Sequence, residues 1–168
     1  MEIQLLSNLD LEYYCKLLKI NIIQVLSKDL FKHYKPKTGC YIVNLGDSKT
    51  SNGTHWTCFI INEKIATYFD SFGLIPPQII VKFIKRYNKH LRIIYSIDQI
   101  QDYNSLACGW FCLFYLYYFN VLHKKNTSNI PYLLNKHNKK YDLYDTTKND
   151  GILQILIKGI LKNKIISI

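Results

Sequence analysis

From Gly109 to His123 the chain reads Gly-Trp-Phe-Cys-Leu-Phe-Tyr-Leu-Tyr-Tyr-Phe-Asn-Val-Leu-His, apolar and aromatic almost without interruption. Strands seldom exceed about ten residues, and a membrane span needs roughly 18 or more apolar residues. The segment therefore predicts a central helix buried on all sides, with Cys108 at its N-terminus. Whatever else the chain forms has to enclose that helix.

At 168 residues the chain suits one domain, 1–168, and a domain of this size buries roughly two-thirds of its unfolded surface without metal or disulfide staples. No repeat and no Gly/Ser-rich or Pro-rich linker divides it. No uninterrupted apolar run reaches membrane-span length, and the start Met1-Glu2-Ile3-Gln4 lacks a basic region followed by an apolar one. A soluble, non-secreted protein is expected. The five cysteines, Cys15, Cys40, Cys58, Cys108 and Cys112, are odd in number and widely spread, which suits buried thiols in a reducing compartment. A single close pair, Cys108 with Cys112, is no zinc framework, so no metal is expected. The net charge of +10 and pI near 9.3 would ordinarily point to nucleic acid or another anionic partner. Here the basic residues are nearly all lysine, with only Arg86 and Arg92, and Ile, Asn and Tyr abound. That pattern also follows from an AT-rich genome, and it halves the weight of the charge.

The remaining pieces form an α+β series. A helix capped by Ser7 or Asn8 is expected to carry Leu9, Tyr13, Leu17 and Leu18 on one face, and a first strand to follow at Cys40-Tyr41-Ile42-Val43-Asn44. Turn formers between Leu45 and Thr54 deliver the chain to His55. Trp56 to Asn62 and Ile65 to Asp70 then read as a hairpin about Asn62-Glu63-Lys64. Since hairpin strands are antiparallel, its open end brings His55 close to Asp70. Pro76 and Pro77 start a helix expected to reach about His90, and Leu91 to Ile97 is a candidate strand.

A thiol at a helix N-terminus faces unpaired backbone N–H groups and the positive end of the helix dipole, both of which favour the nucleophilic thiolate. Cys108 is thus the candidate nucleophile and His55 its candidate base. An imidazole needs a third group to fix its tautomer and stabilise its cation, and Asp70 is placed for that. The Cys108 N–H together with the Gln101 amide, from the polar stretch Gln101-Asp102-Tyr103-Asn104-Ser105, would hold an oxyanion. Cys112, one turn into the helix, reads as a core thiol. His33, His90, His123 and His137 lie beside lysines or in polar stretches and read as surface residues.

These residues also carry a resemblance. Gly53-Thr54-His55-Trp56, then Tyr68-Phe69-Asp70-Ser71-Phe72-Gly73, then Gln101-Asp102-Tyr103-Asn104-Ser105-Leu106-Ala107-Cys108-Gly109-Trp110-Phe111-Cys112 resemble the adenovirus maturation protease (adenain) family, with relatives in virophages and large DNA transposons. The likeness spans roughly Asn8 to Phe119 and leaves the chain after residue 125 unassigned. It implies a papain-like cysteine protease fold of the adenain type, a central mixed or antiparallel sheet flanked by helices, and the order His, acid, Gln, Cys. It further implies a viral or virus-like endopeptidase that processes capsid and core precursors, cleaves after small residues such as Gly, and works in the virion or host-cell cytoplasm. No cofactor is implied for the chemistry, but activation by nucleic acid or a peptide is.

The sequence departs from that pattern in two places. Asp70 stands where adenoviral enzymes carry Glu, as in proteases of ubiquitin-like modifiers, and Leu91 to Ile100 has no cysteine to tether an activating peptide. The alternatives are a protease that removes ubiquitin-like modifiers and an inactive relative that binds nucleic acid through its lysines. Lys32, Lys35 and Lys37, or Lys136, Lys139 and Lys140, would form that track. Near the C-terminus, Asp150 is expected to cap a helix with Ile152, Leu153, Leu156, Ile157, Ile160 and Leu161 on its apolar face. That face is expected to pack on the core; lying on a membrane or binding a partner is the alternative.

Overall fold

The computed structural model describes residues 4–51, 54–121 and 146–165. In chain order these form α1 (Asn8–Leu17), β1 (Ile22–Ser27), a 3-10 helix (Lys28–His33), β2 (Gly39–Asn44), β3 (Trp56–Ile61) and β4 (Ile65–Phe69). Then come α2 (Gln78–Tyr87), β5 (Arg92–Tyr95), α3 (Cys108–Leu116) with a π-helical turn (Tyr117–Val121), and α4 (Thr147–Ile165). The strands lie side by side in sequence order, β1-β2-β3-β4-β5. The outer pairs, β1/β2 and β4/β5, are parallel and the inner pairs antiparallel. This is the expected α+β class with a mixed sheet flanked by helices.

Because helices cover both faces of the sheet, its central strands are apolar on both sides. Cys40 and Ile42 of β2, Cys58 of β3 and Phe69 of β4 face α1, α3 and α4. The alternate residues Tyr41, Val43, Phe59, Ile61, Ala66 and Tyr68 face the 3-10 helix and α2, where they meet Phe31, Ile80, Phe83 and Ile84. Tyr41 is opposite Phe59 in the β2/β3 register, and their rings stack at 4.6 Å and 7°. Such a cross-strand aromatic pair stabilises the register beyond the area it buries.

All nine residues of α3 are buried, as a helix apolar on every face requires. The two indoles near its start are tied to the N-terminal segment: Trp56 Nε1 donates to the Leu6 carbonyl at 2.8 Å and Trp110 Nε1 to that of Gln4 at 3.0 Å. Leu153, Ile157 and Leu161 of α4 are buried in the same cluster, so the apolar face of that helix packs on the core. Among the described residues no helix is long and apolar enough to cross a membrane.

Several elements differ from expectation. The strand at residues 22–27 precedes the one expected to be first. The chain leaves α1 through Lys19 at φ +57, with Ile20 N–H donating to the Cys15 carbonyl and Lys19 N–H to that of Lys16. This is the helix stop at which glycine is the usual marker, and without that marker β1 was not delimited. In α1 it is Leu11 and Cys15, with Leu18 just beyond, that are buried, whereas Leu9 and Tyr13 are exposed. Tyr14 packs on Trp110 at 4.8 Å, and this contact with α3 selects the buried face. Ser7 is the cap of α1, in a capping box with Asp10. Helix α2 starts at Gln78 and ends at Tyr87, because Asn88 turns extended. Strand β5 is shorter than Leu91 to Ile97. Asp150 does not cap α4: the helix begins at Thr147 and Asp150 lies in its first turn. Leu122, His123, His137, Lys136, Lys139 and Lys140 lie outside the described residues, as does the end of the long apolar segment.

Gly73 shapes the turn after β4. Its φ is +72, and a Cβ there would lie 2.5 Å from the Ile97 carbonyl oxygen. Gly73→Ala is expected to destabilise the protein by roughly 1–3 kcal/mol, from the strained backbone and the clash together; a shift of the urea midpoint to lower concentration measures it.

Candidate active site

His55 is the residue before β3 and Asp70 the residue after β4, and pairing of Cys58 with Phe69 brings those two strand ends together. His55 Nε2 and Asp70 Oδ1 are 2.9 Å apart. Asp70 is fully buried, and His55 is 8% exposed. A carboxylate only accepts, so Nε2 carries the hydrogen and Nδ1 is left for the thiol. Asp70 Oδ1 also accepts the Phe72 N–H at 2.8 Å, and the Phe72 ring lies against the imidazole with centroids 4.6 Å apart. Asp70 thus fixes both the His55 ring and the turn that covers it.

The thiol comes from a separate part of the fold. Cys108 is the first residue of α3, follows the N-cap Ala107 and is buried. Its sulfur accepts the Trp56 N–H at 3.5 Å and lies beside the His55 imidazole. Burial on its own would lower the proton affinity of His55. The hydrogen bonds and charges of Asp70 and Cys108 outweigh it and raise the pKa to about 9, so the imidazolium persists at neutral pH. Cys112 is pushed the other way: burial first, then neighbouring Cys58, raise its pKa well above the ordinary value. Burial likewise pushes Cys15 up to about 12 and raises Cys40. All five cysteines are free thiols.

Gln101 is also buried at this site and is gripped at both ends of its amide. The Ser71 hydroxyl donates to Oε1 at 2.6 Å, and Nε2 donates to the Ser105 carbonyl at 2.8 Å. A primary amide has two N–H donors, so one remains available. The Ile100 and Gln101 N–H groups both donate to the Ser71 carbonyl, joining this loop to the turn after Asp70. The structure therefore brings His55, Asp70 and Cys108 together and ties the Gln101 loop to the turn after Asp70. Ser71, Phe72 and Ser105 were not singled out from the sequence, although each sits within or beside the motifs that were.

The approach to His55 is also organised. Asn44 Oδ1 accepts the Gly46 and Thr54 N–H groups at 2.8 and 3.2 Å, and Leu45 N–H donates to the His55 carbonyl. A cleft of about 510 Å³ runs from His55 and Trp56 to Leu5, Asp10 and Leu30. Among the described residues no three His, Cys, Asp or Glu side chains gather to hold a metal. His33 and His90 are exposed, away from this cluster.

The model of the family described as adenovirus endoprotease matches residues 30–154. A protease of bovine adenovirus 2 is 30% identical over 99 residues, 51% of this chain and 48% of that protein. The chain thus spans about half the length of that curated relative. Among solved structures, an ASFV protease superposes with a TM-score of 0.48 at 16% identity, covering 70% of this chain and 58% of that one. The SUMO protease Ulp1, with its catalytic cysteine oxidised to a sulfinic acid, gives 0.48 at 14% identity, covering 94% and 80%.

Iodoacetamide is expected to modify Cys108 first and to leave Cys112, Cys15 and Cys40 unmodified while the protein stays folded; peptide mapping by mass spectrometry checks this. The His55 pKa is raised above its unfolded value, so its contribution to stability is complete below about pH 6.5 and lost as pH rises through about 9. The urea stability difference between wild type and His55→Ala is expected to shrink over that window by up to about 3 kcal/mol.

Proposed function

The chain belongs to the adenovirus endoprotease family, and on that premise we propose that it is a viral cysteine endopeptidase that processes capsid or core precursors during particle maturation. The observation that carries this reading is the bond from buried Asp70 to His55, with His55 in turn beside a thiol at a helix N-terminus.

In the proposed reaction the Cys108 sulfur, having given its proton to His55, attacks the scissile carbonyl carbon. The carbonyl oxygen becomes an oxyanion, held by the Cys108 N–H and the free N–H of Gln101. The His55 imidazolium then protonates the leaving amine as the C–N bond breaks, which leaves a thioester on Cys108. Water, deprotonated by His55, attacks the thioester, releases the acid and restores the thiolate–imidazolium pair. Asp70 keeps Nε2 protonated throughout, so that Nδ1 alone exchanges protons with the thiol and the leaving group. The cleft beside His55 and Trp56 would receive the substrate chain, with cleavage after small residues such as Gly, as the family resemblance implies.

Activation by nucleic acid or a peptide, in the virion or host-cell cytoplasm, belongs to the same proposal. Lys32, Lys35 and Lys37 are exposed on a segment that Arg86 anchors by donating to the carbonyls of Phe31, Lys32 and Tyr34. Lysines arranged in this way offer a sequence-independent phosphate track.

Incubation with candidate particle precursors and mapping of cut sites by mass spectrometry tests the activity. Cys108→Ala is expected to abolish cleavage, and Gln101→Ala to lower kcat by about 10² to 10³ with KM little changed. A change confined to KM would remove Gln101 from the oxyanion role. Asp70→Asn deprives the imidazolium of its counter-charge, so the alkaline limb of kcat/KM, near pH 9 in wild type, is expected at lower pH. For the lysine track, labelled duplex DNA should bind at low salt and raise activity, with affinity falling steeply as salt rises.

A further inference from the structure

The C-terminal helix α4 reaches the site through its first turn. Asn149 is 1% exposed, and its Nδ2 donates to the Ile100 carbonyl at 2.9 Å. Ile100 is the residue before Gln101. One residue further along α4, the half-buried Asp150 carboxyl lies beside Ser105, whose carbonyl accepts the Gln101 amide. The Ser105 hydroxyl accepts the Ala107 N–H at 3.0 Å, directly before the thiol. The first turn of α4 thus holds the Gln101 loop at Ile100 and lies against it at Ser105. On the opposite side Ser71 holds the same loop through its hydroxyl and carbonyl. A side-chain amide used as an oxyanion donor acts only when its spare N–H is aimed before the reaction begins.

We propose that Asn149 is a positioning residue for Gln101: its bond to the Ile100 carbonyl fixes the loop so that the free Gln101 N–H points to where the oxyanion forms. This makes α4 part of the catalytic apparatus as well as a cover for the core. Asn149 touches no substrate, and its effect passes through Gln101. The inference rests on the reading of Cys108 and Gln101 as nucleophile and oxyanion donor.

Two reagents acting on the same thiol separate this role from general damage. Iodoacetamide alkylates sulfur by displacing iodide and forms no oxyanion. In p-nitrophenyl acetate the sulfur attacks the ester carbonyl, a tetrahedral oxyanion forms, the C–O bond breaks and p-nitrophenolate leaves, with the thiol proton passing to His55 and the acetyl group remaining on Cys108. On the full-length chain, Asn149→Ala is expected to slow acetylation of Cys108 about tenfold, a fraction of the loss on removing an oxyanion donor outright, while alkylation stays within about twofold. Gln101→Ala should slow acetylation further. Adding Asn149→Ala to it should cost nothing more, because two residues acting through one group are not additive. Asn149→Ser, which keeps a shorter donor, serves where the alanine variant melts too early, and is expected to fall between wild type and Asn149→Ala.

Equal slowing with both reagents, unchanged acetylation in a folded variant, or independent losses in the double variant would each overturn the role of Asn149. A wild-type Cys108 that acetylates no faster than free cysteine would instead bring down the protease reading, and this inference with it.

Discussion

Helix α3 has no face that tolerates water, and the surrounding structure follows from enclosing it. The sheet covers one side, α1 and the N-terminal segment another, and α4 a third. Burial of large apolar side chains is the dominant favourable term in folding, and a helix buried all round collects it from every neighbour at once. Tight enclosure also leaves the first residue of α3 little freedom. The sulfur of Cys108 is therefore located by core packing, and the local loop only has to bring His55 to it.

Around that fixed point the polar groups are linked in series. Asp70 holds His55 and the Phe72 backbone with one oxygen, and the adjacent Ser71 holds Gln101 with its hydroxyl and carbonyl. His55 and Gln101 are thus both held by the one turn of chain, after β4, that carries Asp70 and Ser71. The turn's geometry depends on Gly73 adopting a positive φ against the Ile97 carbonyl. A displacement there would disturb the contacts of Asp70, His55 and Gln101 at once, so the three depend on one stretch of backbone.

Much of this was legible in the sequence because it follows from periods and lengths. The unbroken apolar run announces α3, and the hairpin arithmetic puts His55 beside Asp70 before any coordinates are seen. What was hidden depends on tertiary partners. The buried face of α1 was misassigned because Leu9 and Tyr13 satisfy helical spacing as well as Leu11 and Cys15 do, and only docking on Trp110 decides between them. Strand β1 went unseen because Lys19 occupies the conformation that glycine normally advertises. Ser71, Ser105 and Asn149 act through single bonds to backbone or amide groups distant in sequence, and no spacing rule encodes such bonds.

The two indole bonds have an optical consequence. Trp56 and Trp110 are the chain's two tryptophans, one directly after the base and the other two residues after the thiol, and both donate to carbonyls of residues 4 and 6. All tryptophan emission of these 168 residues therefore originates within a few residues of His55 and Cys108, from rings whose polar edge is fastened to the same short stretch of chain. Intrinsic fluorescence is in effect a local gauge of how the N-terminal segment is fastened to the start of β3 and α3.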